Sequence, residues 1–152
     1  RDSFVVTSLL CSQEWFDSWA LKSIQNCSQD EVASILQKSS AFLSFGHPEG
    51  FGLPVAEAMA CGCAVAGYSG LGGLELFEIG RKFGCAYEIN YGDWLGFVDA
   101  IRQFTFSWRS RRTFMSHSLQ KCSSFIRRTY NYEAMVKEVS SFCNLVESTI
   151  KE

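Results

Sequence analysis

The sequence predicts an α/β fold, a parallel sheet with helices on both faces. Three observations predict it. Short runs that are apolar throughout recur along the chain, as strands buried on both faces require. Helical patterns stand between them. A glycine-punctuated loop joins one such run directly to a helix, which is where a sheet of this kind presents ligand groups. The chain has 152 residues, which suits one domain with a core of its own.

Phe4 to Leu10 (FVVTSLL) is apolar and β-branched, and reads as a buried strand. Ser12 to Leu21 is ambiguous, with Trp15, Phe16, Trp19 and Ala20 at helical spacing. Ser28 to Lys38 reads as a helix, because Ser28 and Glu31 form a capping box ahead of the stripe Val32, Ile35, Leu36. Ala41 to Phe45 (AFLSF) is a second buried strand, and Gly46 to Gly52 a loop. Pro54 suits the first turn of the next helix, where its missing N–H costs nothing; that helix ends near Cys61–Gly62. Ala64 to Gly67 is another strand, followed by a glycine-rich turn over Gly70 to Gly73. Ala86 to Ile89 is a further strand, and Asp93 caps a helix whose Trp94, Phe97, Val98 and Ile101 share a face. Two helices close the chain, striped by Met115, Leu119, Cys122 and Ile126, then by Met135, Val139, Phe142, Cys143 and Val146.

Composition narrows the function classes. Hydrophobic residues make up 47% and the formal net charge is −2, so no global basic field invites nucleic acid or an anionic membrane. The arginines at 109, 111, 112, 127 and 128 read as solvated helix faces. The seven cysteines follow no disulfide spacing and suggest reduced thiols in a cytoplasm. The pair Cys61 and Cys63 lacks the second ligand pair of a zinc site, so no metal is expected. No apolar run is long enough to span a bilayer. The chain starts at Arg1 and enters an apolar run at once, so it reads as part of something longer.

Chemistry concentrates in Phe45 to Gly67. Gly50 and Gly52 flank Phe51, and two glycines so close let the backbone approach a ligand. The loop feeds a helix N-terminus, whose N–H groups and dipole attract a phosphate. In that helix Val55, Ala56, Ala58, Met59 and Ala60 are apolar on every side, so it reads as buried, with Glu57 a lone acid in its first turn. A carboxylate there can accept two sugar hydroxyls. Glu49 is a second acid, placed in the loop at the same edge. Two acids for hydroxyls with amides between them suit a nucleoside diphosphate sugar. Neither a dinucleotide fingerprint nor a P-loop sequence is present. His47 reads as a polar loop residue, His117 as a helix-surface one, and Trp15, Trp19 and Trp108 as candidates for a domain interface.

The stretch EGFGLPVAEAMACG, Glu49 to Gly62, resembles the donor-binding signature of retaining glycosyltransferases of family four, which have the two-domain GT-B fold. The similarity extends through Cys63–Gly67 and Gly72–Gly73, upstream over Ser28–Phe45, and more weakly to Tyr130–Val139. The resemblance implies that the chain is a Rossmann-like C-terminal half, a nucleotide-sugar-binding domain over 1–152 without its N-terminal acceptor domain. It implies that Glu49 lies beside the donor sugar as the candidate catalytic residue. Gly50, Phe51, Gly52 and Leu53 would hold sugar hydroxyls and diphosphate, and Glu57 the ribose. Asn26 and Cys27 stand where the base is held. It implies no metal or cofactor besides the nucleotide-sugar donor. Membrane association of a full-length enzyme is compatible with it but is not indicated by this chain. The family's Arg-x4-Lys pair and its active-site histidine have no match here. A non-catalytic module of the same fold, or an unrelated phosphate-binding domain, are the alternatives.

Overall fold

A computed structural model describes residues 1–46 and 48–150. The first element is not the expected strand. Asp2–Cys11 is a helix, α1. A run that is apolar throughout suits a buried strand and a buried helix equally, and packing decides. Val6 and Leu10, one turn apart, are fully buried, while Phe4 is exposed. The Thr7 hydroxyl donates back to the Ser3 carbonyl, 2.8 Å away, as a helical threonine can. Within the ambiguous stretch only a single 3₁₀ turn forms, over Glu14–Phe16.

The next helix, α2 over Gln29–Gln37, carries the full capping box at Ser28 and Glu31. Strand β1 (Ala41–Phe45) follows. Helix α3 (Leu53–Ala60) has Pro54 in its first turn, and leads to strand β2 (Ala64–Tyr68), which is buried along its whole length. Helix α4 (Leu74–Lys82) has no counterpart in the sequence reading. Strand β3 is Ala86–Glu88. Asp93 caps α5 (Trp94–Ser110) by accepting from the Gly96 N–H. Helix α6 (Arg112–Thr129) buries its four stripe residues, Met115, Leu119, Cys122 and Ile126. Helix α7 (Tyr132–Ile150) forms as expected, but Met135, Val139, Phe142 and Val146 stand exposed along it.

The sheet has three strands in the order β1-β2-β3, all parallel, with Ala41 opposite Ala64 and Val65 opposite Ala86. Each strand adds on the same side of its predecessor. Right-handed crossovers therefore put α3 and α4 on one face. One core cluster lies on that face, built on Val65 of β2 with residues of α2, α3, α4 and α6. A second, around Ala66 and Tyr68 of β2, joins α1 and α5 on the other. The architecture is α/β and Rossmann-like. Trp19 and Trp108 pack against Phe104, each with ring centroids 5.7 Å away, and Trp15 sits edge-on to Phe16. The three tryptophans are thus half-buried, each packed on one side within this domain.

Candidate functional site

Parallel strands end together, so the β1–α3 and β2–α4 loops leave the sheet at one edge. Hydrogen bonds tie the two loops to each other. The Glu49 N–H donates to the Gly70 carbonyl at 2.9 Å, and the Gly72 N–H to the Glu49 carbonyl at 3.0 Å. Glu49 and Leu71 thereby form a parallel bridge. This close approach needs glycine, since a Cβ on Gly72 would collide with the backbone of Glu49 and Gly50. The carboxylate of Glu49 folds back over the end of β1. Its Oε1 lies 3.3 Å from where a Cβ on Gly46 would stand.

Gly52 takes a left-handed conformation (φ +85°) and serves as N-cap of α3 without any side-chain cap. That geometry suits glycine; Gly52 itself is buried against Gly73 and Leu76, and the helix head carries no side-chain cap. Among the described residues, the N–H groups of Gly50, Phe51, Gly52 and Leu53 meet no acceptor. They lie on the positive end of the α3 dipole, and Glu49, Gly50 and Leu53 are exposed. Phe51 is half-buried and packs edge-on to Tyr130, with ring centroids 5.1 Å apart. Burial first, then the neighbouring carboxylate of Glu75, push the Tyr130 phenol up to about 12. Its hydroxyl meets no partner in hydrogen-bond geometry among the described residues.

Glu57 departs from the expectation in two ways. It is exposed, and it lies a full turn beyond Leu53, so it is outside the first turn of α3. The helix is not apolar on every side. Leu53, Pro54 and Glu57 form an outward stripe, while Val55, Ala56, Ala58 and Met59 are buried. Solvent, and not a buried partner, accommodates the charge. Side chains on a helix lean toward its N-terminus, so Glu57 reaches back along the face headed by Leu53.

Asn26 and Cys27 precede the capping box. The short α2–β1 connection makes α2 antiparallel to β1, which brings the head of α2 to the same sheet edge. Asn26 is exposed with φ +53°, a conformation asparagine tolerates. The Cys27 thiol donates to the Gln25 carbonyl at 3.3 Å. The expected site residues thus stand at one edge, in the β1–α3 loop and on the heads of α2 and α3, with Glu57 one turn further along α3. Sequence reasoning missed the second wall, Ser69 to Leu74. Its signal was the glycine cluster itself. His47 lies outside the described residues. No group of three His, Cys, Asp or Glu side chains that could hold a metal ion occurs among the described residues. Two grooves on the surface lie away from this edge.

Residues 20–118 match the family described as Glycosyl transferases group 1. An alpha-1,6-glucosyltransferase of Actinobacillus pleuropneumoniae serotype 7 (strain AP76) is 36% identical over 73 residues, 48% of this chain and 20% of that protein. The aligned part is thus about a fifth of that relative's length. No solved structure matches the chain.

Proposed function

The chain belongs to the Glycosyl transferases group 1 family, and from that premise we propose that it is the donor-binding, C-terminal half of a GT-B glycosyltransferase, of the retaining family-four kind, whose acceptor domain lies outside residues 1–152. The observation that carries the reading is the head of α3, with four successive amides that meet no acceptor among the described residues and an acid on either side, Glu49 and Glu57. The amides of Gly50 to Leu53 receive the diphosphate of a nucleoside diphosphate sugar, together with sugar hydroxyls. Glu49 lies beside the sugar, Glu57 accepts the ribose hydroxyls, and Asn26 and Cys27 border the base. As the sugar passes to an acceptor hydroxyl, charge grows on the departing diphosphate. Fixed amides and the helix dipole stabilise that charge without reorganising, and no metal is required. Glu49 and Glu57 act as binding groups and not as an acid–base pair. The reaction takes place in the cytoplasm, and this half alone does not turn over, because acceptor positioning supplies much of the rate.

One observation favours the second reading, a non-catalytic module of the same fold. No lysine or arginine occurs between Lys38 and Arg81. A diphosphate at this loop would be neutralised by dipoles alone unless a cation arrives from elsewhere.

The test of the first reading compares Glu57→Gln with the parent chain, each titrated calorimetrically with a nucleoside diphosphate and with its 2′,3′-dideoxy analogue. UDP, GDP and ADP forms are tried first to find the base. Glu57→Gln should raise the dissociation constant by roughly tenfold, about 1.4 kcal/mol. The dideoxy ligand should lose most of that difference. Equal weakening of both ligands would mean that Glu57 does not hold the ribose. Absence of binding by every nucleotide would remove the donor-site reading for this chain.

A further inference from the structure

The near-zero net charge of the chain conceals a segregation. Seven of its fourteen Lys and Arg residues, and none of its sixteen Asp and Glu, fall between Ala100 and Thr129. They are Arg102, Arg109, Arg111, Arg112, Lys121, Arg127 and Arg128. This segment is the second half of α5 together with all of α6. Within α6 the buried stripe faces α3, where the Ser123 hydroxyl and the Arg127 Nε donate to the Ala60 carbonyl at 2.6 and 2.8 Å. The opposite side carries Phe114, His117, Lys121, Ser124 and Arg128, all exposed. The line from Phe114 to Arg128 spans about 21 Å.

Two features make this side more than a solvated face. It borders a groove of about 400 Å³ lined by His117, Gln120, Lys121, Ser124 and Arg128 over the rings of Phe83 and Phe125, with no acid among the lining residues. Arg128 is held above the Phe125 ring, 6.0 Å from its centroid. Among the described residues no α6 cation is in a salt bridge. Beyond the groove, Phe114 stands 64% exposed, and across the α5–α6 corner Phe106 is 71% exposed. Cations interleaved with exposed aromatic rings are the composition of an interfacial surface, where rings enter the headgroup layer and cations meet lipid phosphates.

We propose that the outer face of α6 docks on a bilayer of anionic phospholipid, with a headgroup phosphate in the groove between Lys121 and Arg128 and the Phe114 ring in the interface. The groove is small for a polymer but fits one headgroup. Phe83 stands just before β3, so the groove lies at the sheet edge opposite the glycine loops, and docking leaves those loops open. Nucleic acid is drawn by the same cations, and an unpaired base can stack on an exposed ring; the size of the groove favours a headgroup, and an oligonucleotide is the competing occupant in the test.

The experiment is sedimentation of the whole chain with vesicles of phosphatidylcholine alone, or with about one third phosphatidylglycerol, at low and high salt. Binding should need the anionic lipid and weaken with salt. Lys121→Gln with Arg128→Gln should lower the partition coefficient by about twentyfold or more, at roughly fivefold per cation near the surface. Phe114→Ser should lower it several-fold without any change of charge. Lys22→Gln with Lys38→Gln removes the same charge elsewhere and should change it by no more than about twofold. An equal loss in that control pair would overturn the proposal. So would no binding to anionic vesicles, displacement by millimolar glycerol phosphate, or tighter binding to an oligonucleotide than to the anionic vesicles.

Discussion

Two glycines in the same pair of loops make opposite predictions. Gly72 carries the lacing of the β2–α4 loop onto the β1–α3 loop. A Cβ there would press on the Glu49 and Gly50 backbone, which no side-chain rotation can relieve. Gly72→Ala must open the bridge, losing the 2.9 and 3.0 Å hydrogen bonds at Glu49 and Gly72. At about 1 kcal/mol net each, with about 1–2 kcal/mol of overpacking strain where the loops stay together, the variant should lose about 2–4 kcal/mol. In a chain of this size that lowers the melting temperature by roughly 5–15 °C. Gly50→Ala meets nothing within 4 Å and has no left-handed φ. Its stability should stay within about 0.5 kcal/mol of the parent, or rise slightly because the unfolded chain loses freedom. On the proposed donor site its nucleotide affinity should nevertheless fall about tenfold or more, because the new methyl would stand between the diphosphate and the amides. Urea unfolding and calorimetric titration of both variants decide the matter. Unchanged binding by Gly50→Ala would refute the close approach of a ligand at that amide. Unchanged stability in Gly72→Ala would refute the claim that the lacing holds the loop.

Three further outcomes are expected. Ser28→Ala should cost about 1 kcal/mol of stability by urea unfolding. Hydrogen bonds from Ser28, the backbone N–H first and then the hydroxyl, hold the Glu31 carboxyl below its usual range, so the capping box stabilises above that range and its contribution fades as pH falls through the lowered value. The gap between parent and Ser28→Ala should narrow in acid only by the share of the hydroxyl–carboxylate bond. It should persist there, because the Glu31 N–H bond to the Ser28 hydroxyl does not titrate and the Ser28 backbone N–H bond survives in alanine. Tyr130 binds its proton more tightly when folded, with its phenol up from 10.0 to about 12, so its contribution is present below the unfolded value and is lost as pH rises through the folded one. Tyr130→Phe should flatten the decline of stability over that alkaline window, and at neutral pH should cost little, because the hydroxyl it removes meets no partner in hydrogen-bond geometry among the described residues. Thiol alkylation of the native chain should label exposed Cys11 and Cys143 first and Cys63 far later, because burial pushes the Cys63 thiol up to about 12; comparable rates by mass spectrometry would contradict its burial.

The parts of the fold that proved legible were those where a local rule left one solution. The capping box of α2, Asp93 at the head of α5 and the stripe of α6 depend on neighbours within a turn or two, and each formed where its spacing put it. FVVTSLL contains no such rule. Its helix exists because Val6 and Leu10 find a core shared with α5 and the sheet, a fact of packing that no window of the chain holds. Helix α4 was missed for the converse reason. Its first turn follows three glycines in four positions, which read as a turn and concealed the amphipathic stretch with Leu76, Phe77 and Ile79 buried.

The site was legible as a strip of sequence but not in its surroundings. The positions of Gly50, Gly52 and Pro54 follow from backbone rules, and the structure sets them as loop, N-cap and first turn. Glu57 did not follow, because an alanine-rich helix reads as buried whether or not one side faces water. Leu53 and Pro54, both apolar, are what water covers. That exposure changes what Glu57 can be. A buried acid needs a partner in order to exist at all, so its presence would already imply one. An exposed acid on the lip of an open amide loop carries no such obligation. Its role rests on what docks there, which is why the ribose test compares two ligands and not two stabilities.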